Sequence, residues 1–354
     1  MGLPNINIAF STQAASAISR SQKGVVALII KDANANGGHI LTSATQIPTT
    51  LSKDNKDYIS RAFLGYVNPP RKVIVYALPV DAVDLSEGLT YLETQTFDYL
   101  AGPPDVAVAD CTAIVLWVKA QRTLGFTPKA VLPDTQADNE AIINFTTNGI
   151  KVGDTEYTAA QYCSRIAGLI AGTPMTISCT YAPLSEVSDV ERLTKEAMDA
   201  AIDSGKFIIF YDGEKVKVGR GVNSLKTTTQ EKGEVFKKIK IVEAVDMIRS
   251  DIKKTAQDNY IGKYANSYDN KCLLVTAIKG YFIGLENDGI LERGTSAVSI
   301  DIDAQDVYLQ SKGINTTDMT EQEIKNAATG DKVFLKASIS ILDAVEDINL
   351  DIAI

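Results

Sequence analysis

The chain has 354 residues, enough for two or three domains of roughly 100 to 200 residues each. Apolar residues make up 45% and charged residues 22%, the balance of a chain that buries cores rather than one that stays disordered. A net charge of -9 argues against a nucleic-acid partner, which needs clustered Lys and Arg, and no run approaches the ~18 consecutive apolar residues of a membrane span.

The first residues, MGLPNINIAF, show no basic stretch leading into a long apolar core, so folding in the cytoplasm of the producing cell is expected. They alternate instead, with Ile6, Ile8 and Phe10 facing one way and Asn5, Asn7 and Ala9 the other. With the small polar stretch that follows, residues 1–20 read equally as an arm or as an edge strand of the chain's own domain. GVVALIIKD (24–32) is the first core strand. NANGGH (34–39) reads as a turn, KDNKDYISRAFLG (53–65) as a helix and RKVIVYAL (71–78) as a buried strand, so residues 21–90 suggest a small α/β domain.

Residues 91–230 are expected to form a central α/β domain. A helix at 86–100, a strand at 105–109, a helix at 110–124 and a strand at 129–132 are punctuated by Pro103-Pro104 and Pro133-Asp134. Ile114, Trp117, Val118 and Gln121 share a helix face, which places the only tryptophan in the core rather than on a ligand platform. A strand pair within 142–157 turns at Val152-Gly153-Asp154. Thr158 then caps a helix with the stripe Tyr162, Ile166, Leu169 and Ile170, in which Gly168 and Gly172 permit close packing. A helix near 189–204 ends at Gly205 and leads to FIIFYDGEKVKV (207–218), a hairpin about Asp212-Gly213. The return strand ends at Gly219, Arg220, Gly221, Val222 and Asn223. Phosphate-cradling loops also space two glycines by one residue, but the third glycine or following Lys-Ser/Thr that they need is missing, so these glycines let the backbone turn or approach another chain.

Residues 231–343 suggest a C-terminal α/β domain. A helix from about 241 stacks Ile241, Ala244, Val245, Ile248, Ile252 and Ala256 on one stripe and carries Arg249, Lys253 and Lys254 opposite, with Lys263 just beyond. A second helix, capped near Asp269 or Asn270, aligns Leu274, Ile278, Tyr281, Phe282 and Leu285. AVSIDIDA (297–304) is a strand, and a helix over 318–327 is capped by Thr317 or Asp318. In KVFLKASISI, Val333, Leu335, Ala337, Ile339 and Ile341 face one side; after a polar break at 343–347, Ile348, Leu350, Ile352 and Ile354 do the same. Residues 344–354 therefore read as an arm strand with one apolar face, which a strand exchanged with a neighbour would cover.

Chemistry is sparse. His39 is the single histidine, which leaves Ser-His-Asp, Cys-His and multi-histidine metal arrangements without their parts. Cys111, Cys163, Cys179 and Cys272 have no metal or redox spacing and read as buried thiols. Asp301 and Asp303 fall on one face of the expected strand, where they could bind a divalent cation or act as acid and base, or simply be solvated. No catalytic, cofactor-binding or metal residue is nominated. The expected class is α/β with α+β elements, layered and multi-domain, with extended N- and C-terminal strand arms. An α/β enzyme or a monomeric binding module accounts for the core alone.

Taken together, the hairpin, GRGVNSL with its Thr-rich loop, the helix FKKIKIVEAVDMIRSDI (236–252) and YIGKYAN (260–266) resemble, in order and spacing, the sheath proteins of contractile tails. These build myophage tails, defective-prophage tails and R-type bacteriocins. The likeness is best over 205–300 and extends over the whole chain, whose length is similar to the short sheaths of Gram-positive phage-like particles. No single residue in it is diagnostic. The resemblance implies a structural subunit rather than an enzyme, with no cofactor, no nucleic acid and no membrane insertion. It implies a homo-oligomer of stacked hexameric rings around an inner tail tube protein, with baseplate and tail terminator proteins as further partners. Such a sheath contracts to drive the tube through a target envelope. On this view Ile6, Ile8, Phe10, Ile348, Leu350, Ile352 and Ile354 are subunit-interface arm residues. Arg249, Lys253, Lys254 and Lys263 are then candidates to face the tube, against the plainer reading of a solvated helix face.

Overall fold

The computed structural model describes residues 17–20, 23–34, 37–230 and 232–352. They group into two compact units: a sheet unit, Ser21–Met247 with Asp343–Ile354, and a helical unit, Met1–Arg20 with Ile248–Leu342.

The sheet unit is built on β1 (Val25–Lys31), β2 (Gly37–Leu41), α1 (Lys53–Ala62), β3 (Lys72–Leu78), α2 (Ser86–Leu92), β4 (Tyr99–Ala101), α3 (Val108–Thr123), β5 (Lys129–Pro133) and β6 (Ile142–Phe145). After the small hairpin β7 (Ile150–Val152) and β8 (Thr155–Tyr157) come α4 (Ala159–Ala171), α5 (Lys195–Asp203), β9 (Lys206–Phe207) and a second hairpin, β10 (Ile209–Tyr211) with β11 (Val216–Val218). One seven-stranded sheet runs β2-β3-β1-β4-β5-β6-β9, parallel except for β2. It spans both expected N-terminal domains, so the boundary expected between residues 90 and 91 falls inside this unit. A parallel sheet is covered on both faces, and β1 shows it: Val26, Leu28 and Ile30 join one core cluster with Tyr58 and Tyr162, while Val25, Ala27 and Ile29 join the other with Leu89 and Ile114.

Local signals set the helix ends and contacts. Thr158 and Gln161 form a full capping box at α4. A Cβ at Gly168 would lie 2.0 Å from the Ala62 carbonyl oxygen, and one at Gly172 2.1 Å from that of Asn68, so only glycine lets the α4 backbone press on α1 and its following turn. Asp32, at the end of β1, accepts the Ser52 N–H and the Asn55 amide, both at 2.8 Å, and so ties the strand to the start of α1.

Several expected elements differ. The helix expected over 86–100 stops at Leu92, and no strand forms at 105–109. The sheet strand is Tyr99–Ala101 instead, because the Asp98 carboxylate accepts the Gly24 and Val25 N–H groups, each at 2.8 Å, and fixes that stretch beside β1. The Val106 N–H turns back to the Pro103 carbonyl before α3 begins. His39 lies within β2 opposite Val75, not in a turn. Trp117 is half-buried; its ring stacks on Phe97 and its N–H donates to Glu93 at 3.2 Å. The helix expected near 189 starts at Lys195 under a Thr194 cap.

Next in the chain is α6 (Ile239–Asn259), which carries the unit boundary between Met247 and Ile248. Beyond it the helical unit contains α7 (Tyr268–Asn287), β12 (Ala297–Ile300), α8 (Ile302–Ser311), α9 (Glu321–Asn326) and β13 (Leu335–Ser338), with β12 and β13 antiparallel. The α7 cap is Ser267 rather than Asp269 or Asn270, and the α9 cap is Thr320, boxed with Glu323, rather than Thr317 or Asp318. The expected strand over 297–304 ends at Ile300, because the Asp301 carboxylate caps α8 by accepting the Ala304 N–H at 3.0 Å. Asp303 then lies in the first helical turn, so the two acids do not share a strand face.

Candidate functional site

The β10–β11 hairpin turns at Gly213, whose φ of 107° only glycine adopts readily. Its return strand runs into the glycine-arginine turn. A Cβ at Gly219 would sit 3.0 Å from Ile208, and one at Gly221 would sit 2.9 Å from the Cys179 sulfur and 3.1 Å from the Ser178 hydroxyl. These glycines therefore seat the backbone against its own core and against the loop at 178–180. Val222 and Asn223 are buried, and the Asn223 amide donates to the Phe236 carbonyl at 2.7 Å while its oxygen accepts the Leu225 N–H at 3.0 Å.

Arg220, between the glycines, points to the C-terminal tail. Its Nε donates to Glu346 at 3.0 Å and its Nη2 to Asp347 at 2.6 Å. The hydroxyls of Thr180 and Ser178 donate to the other Glu346 oxygen at 2.5 and 3.2 Å. Lys238 pairs with Asp343 and lies 3.6 Å from Glu346. The Glu346 side chain is 6% exposed, a depth at which a carboxylate persists only with such partners. The hydrogen bond from Arg220 to Asp347 raises the guanidinium above its ordinary range. Directly beyond this clamp the apolar residues emerge, Ile348 80%, Leu350 75% and Ile352 74% exposed. Among the described residues, 344–352 pair with no strand of their own chain; the expected arm strand is one that forms on a neighbouring copy. Ile6, Ile8, Phe10 and Ile354 lie outside the described residues.

A second polar cluster was not legible in sequence. Glu243 and Asp246, one turn apart on α6, are both buried. Glu243 accepts from the Tyr99 hydroxyl and pairs with Lys23, whose ammonium burial pushes down to about 7. Arg122 forks onto Asp246 at 2.8 and 2.9 Å, with Lys129 at 3.4 Å. Helical periodicity counts apolar positions, so it passes over acids whose partners come from β4, α3 and β5.

Of the four basic candidates, Arg249 and Lys254 are exposed, and Lys254 pairs with Asp258 at 2.9 Å. The Lys263 ammonium donates to the Asp258 carbonyl, and Lys253 is half-buried and partnered.

Sites where chemistry would be sought are filled by structural roles. In doubly wound sheets ligands bind where the strand order reverses, here outside the ends of β1 and β4. At that point Asp32 is fully engaged, and the Tyr58 hydroxyl donates to the Gly102 carbonyl at 2.8 Å. A cleft of about 430 Å³ includes Cys111 and Asp134, but burial pushes that thiol up, and the lining carries no histidine or lysine to activate it. No cluster of three or more His, Cys, Asp or Glu is placed to hold a metal among the described residues.

The family model of the phage tail sheath central domain matches residues 79–224, and that of the phage tail sheath C-terminal domain matches 231–354. The tail sheath protein of Clostridium phage phiCD119 is 42% identical over 355 residues, 99% of this chain and 98% of that one. The crystal structure of the sheath tail protein from Desulfitobacterium hafniense shares the fold at a TM-score of 0.70 and 18% identity, over 84% of this chain and 94% of that one. The helical sheath of the anti-feeding prophage in its contracted state, seen by cryo-EM, shares it at 0.73 and 17% identity, over 100% and 99%. The chain thus belongs to the phage tail sheath family, whose members are structural proteins and not enzymes.

Proposed function

We propose that copies of this chain polymerise as stacked hexameric rings around an inner tail tube, extended and metastable, and shorten when a baseplate triggers them, driving the tube through a target cell envelope. The sheath is then part of a virion or tail-like particle assembled in the producing bacterium, with tube, baseplate and terminator proteins as partners. The observation that carries this reading is the tail: its root is pinned by ion pairs that converge on the buried Glu346 carboxylate, while the apolar face that follows is held out to solvent. Such a strand completes a sheet in a neighbouring copy by β-augmentation, and because donor and acceptor surfaces differ, each added copy offers a free one to the next, so the contact propagates through rings and stacks. Contraction needs only two packings of the same subunits separated by stored free energy, so no nucleotide site is called for.

Light scattering and negative-stain microscopy of the purified protein, alone and with its tube protein, test this. The full chain is expected to form tubes, whereas a chain lacking 344–354 is expected to stay folded and soluble without forming them. Normal tubes from the shortened chain would overturn strand donation.

A further inference from the structure

We propose that Arg220, Lys238, Ser178 and Thr180 form a binding site for the acidic segment 343–347, and that this site sets where the terminal strand departs and which face it offers to the next copy. The proposal rests on the reading of the tail as a donated strand.

The site recognises geometry as well as charge. Thr180 accepts the Gly221 N–H at 3.0 Å, so its own proton is directed at Glu346. The Ser178 hydroxyl likewise accepts the Thr180 N–H at 3.1 Å, leaving its proton for Glu346 or the Thr180 oxygen. Glu346 is thus met by two oriented hydroxyls on one oxygen and two cations on the other, while Asp347 takes the free arm of the guanidinium and Asp343 takes Lys238. The ligand class is an acidic peptide of spacing D-x-x-E-D. An aspartate at 346 would fall one methylene short. The receptor is assembled from the loop at 178–180, the turn at 220 and the residue before α6, so it exists only once the sheet unit has folded.

Its value to a donated strand is phase. Side chains of an extended chain alternate, and a slip of one residue moves the whole apolar set to the opposite face. Ile348, Leu350 and Ile352 share parity with Glu346, so pinning Glu346 fixes the side on which they emerge. It also removes conformational freedom that association would otherwise have to overcome.

Two full-length variants test this: the receptor variant R220A/K238A, and the tail variant E346Q/D347N, which leaves the receptor intact. A glutamate-specific endoprotease is expected to cut after Glu346 roughly ten- to a hundredfold faster in the receptor variant, since the ion pairs made by both cations are lost. Tube number by negative stain is expected to fall at least about tenfold in both variants at an unchanged thermal midpoint. Cleavage at the wild-type rate, or normal tubes from both variants, would overturn the anchor while leaving the sheath reading intact. Failure of the unmodified chain to form tubes would count against the sheath reading itself. If the receptor variant does not fold, tube formation by E346Q/D347N decides alone.

Discussion

Strand β1 and the terminal residues 348–352 both carry closely spaced apolar side chains, yet they end in opposite environments. In β1 the run VVALIIK has apolar side chains at both parities, and all but its last residue are buried between β3 and β4. In INLDI only every second residue is apolar, and all three of these are exposed. A run that is apolar at both parities satisfies itself inside one chain, whereas strict alternation at a chain end leaves one face for water and one for a partner. Covering three such side chains is worth roughly 1.5–3 kcal/mol each before the costs of association and ordering.

The sharpest test of this contrast is a matched pair. Leu28→Ala, in a fully buried site with partners on one core face, is expected to lower unfolding free energy by about 3–5 kcal/mol in urea titrations. Leu350→Ala is expected to stay within about 0.5 kcal/mol of wild type in the same measurement while weakening tube formation. Equal losses in the two would break the distinction.

A smaller effect sits at the carboxyl end of β1. Burial alone would raise the Asp32 carboxyl, but hydrogen bonds from the Asn55 side chain and from the backbone of Asn34 and Ser52 bring it down to about 2, against 3.8 for the free group. Its folded pKa is depressed, so the stability that its charge contributes is present above the ordinary carboxylate range and is lost as the pH falls towards 2. The stability gap between wild type and Asp32→Asn is therefore expected to close between pH 5 and pH 2; a constant gap would mean that the charge of Asp32 is not what holds β1 to α1. The smallest expected effect is on the basic face of α6. Lys253→Glu with Lys254→Glu should change monomer stability by less than about 1 kcal/mol and weaken salt-sensitive co-assembly with the tube. Identical assembly across a salt series would take these residues out of that contact.

What could be read in the sequence was what local rules decide. The Thr158 cap, the turns at Gly153 and Gly213, the close-packing glycines of α4 and the long strands β1 and β3 all carry their cause within a few residues. The errors came where distant groups outvote local preference. Tyr99–Ala101 is only three residues long and is placed by Asp98 reaching β1, while DVAVA at 105–109 has strand-forming residues but turns through the Val106–Pro103 hydrogen bond. Half of the clamp was visible: four acids without a base in 343–354 and a lone arginine between glycines. Their pairing was not, because more than a hundred residues separate Arg220 from Glu346 and no spacing rule connects them.

The placement of the unit boundary also bears on how this chain can be divided. Domains are usually joined by exposed linkers, which is where proteases nick and where genetic exchange is tolerated. Here the boundary between Met247 and Ile248 lies inside the 21 residues of α6, four positions past Glu243 and one past Asp246, both already committed to buried ion pairs. Cutting there would expose unsatisfied backbone groups on both new ends. Recombination at that point would have to match helical phase as well as reading frame, so exchange and nicking are expected at the exposed loop over 226–230 rather than at the unit boundary.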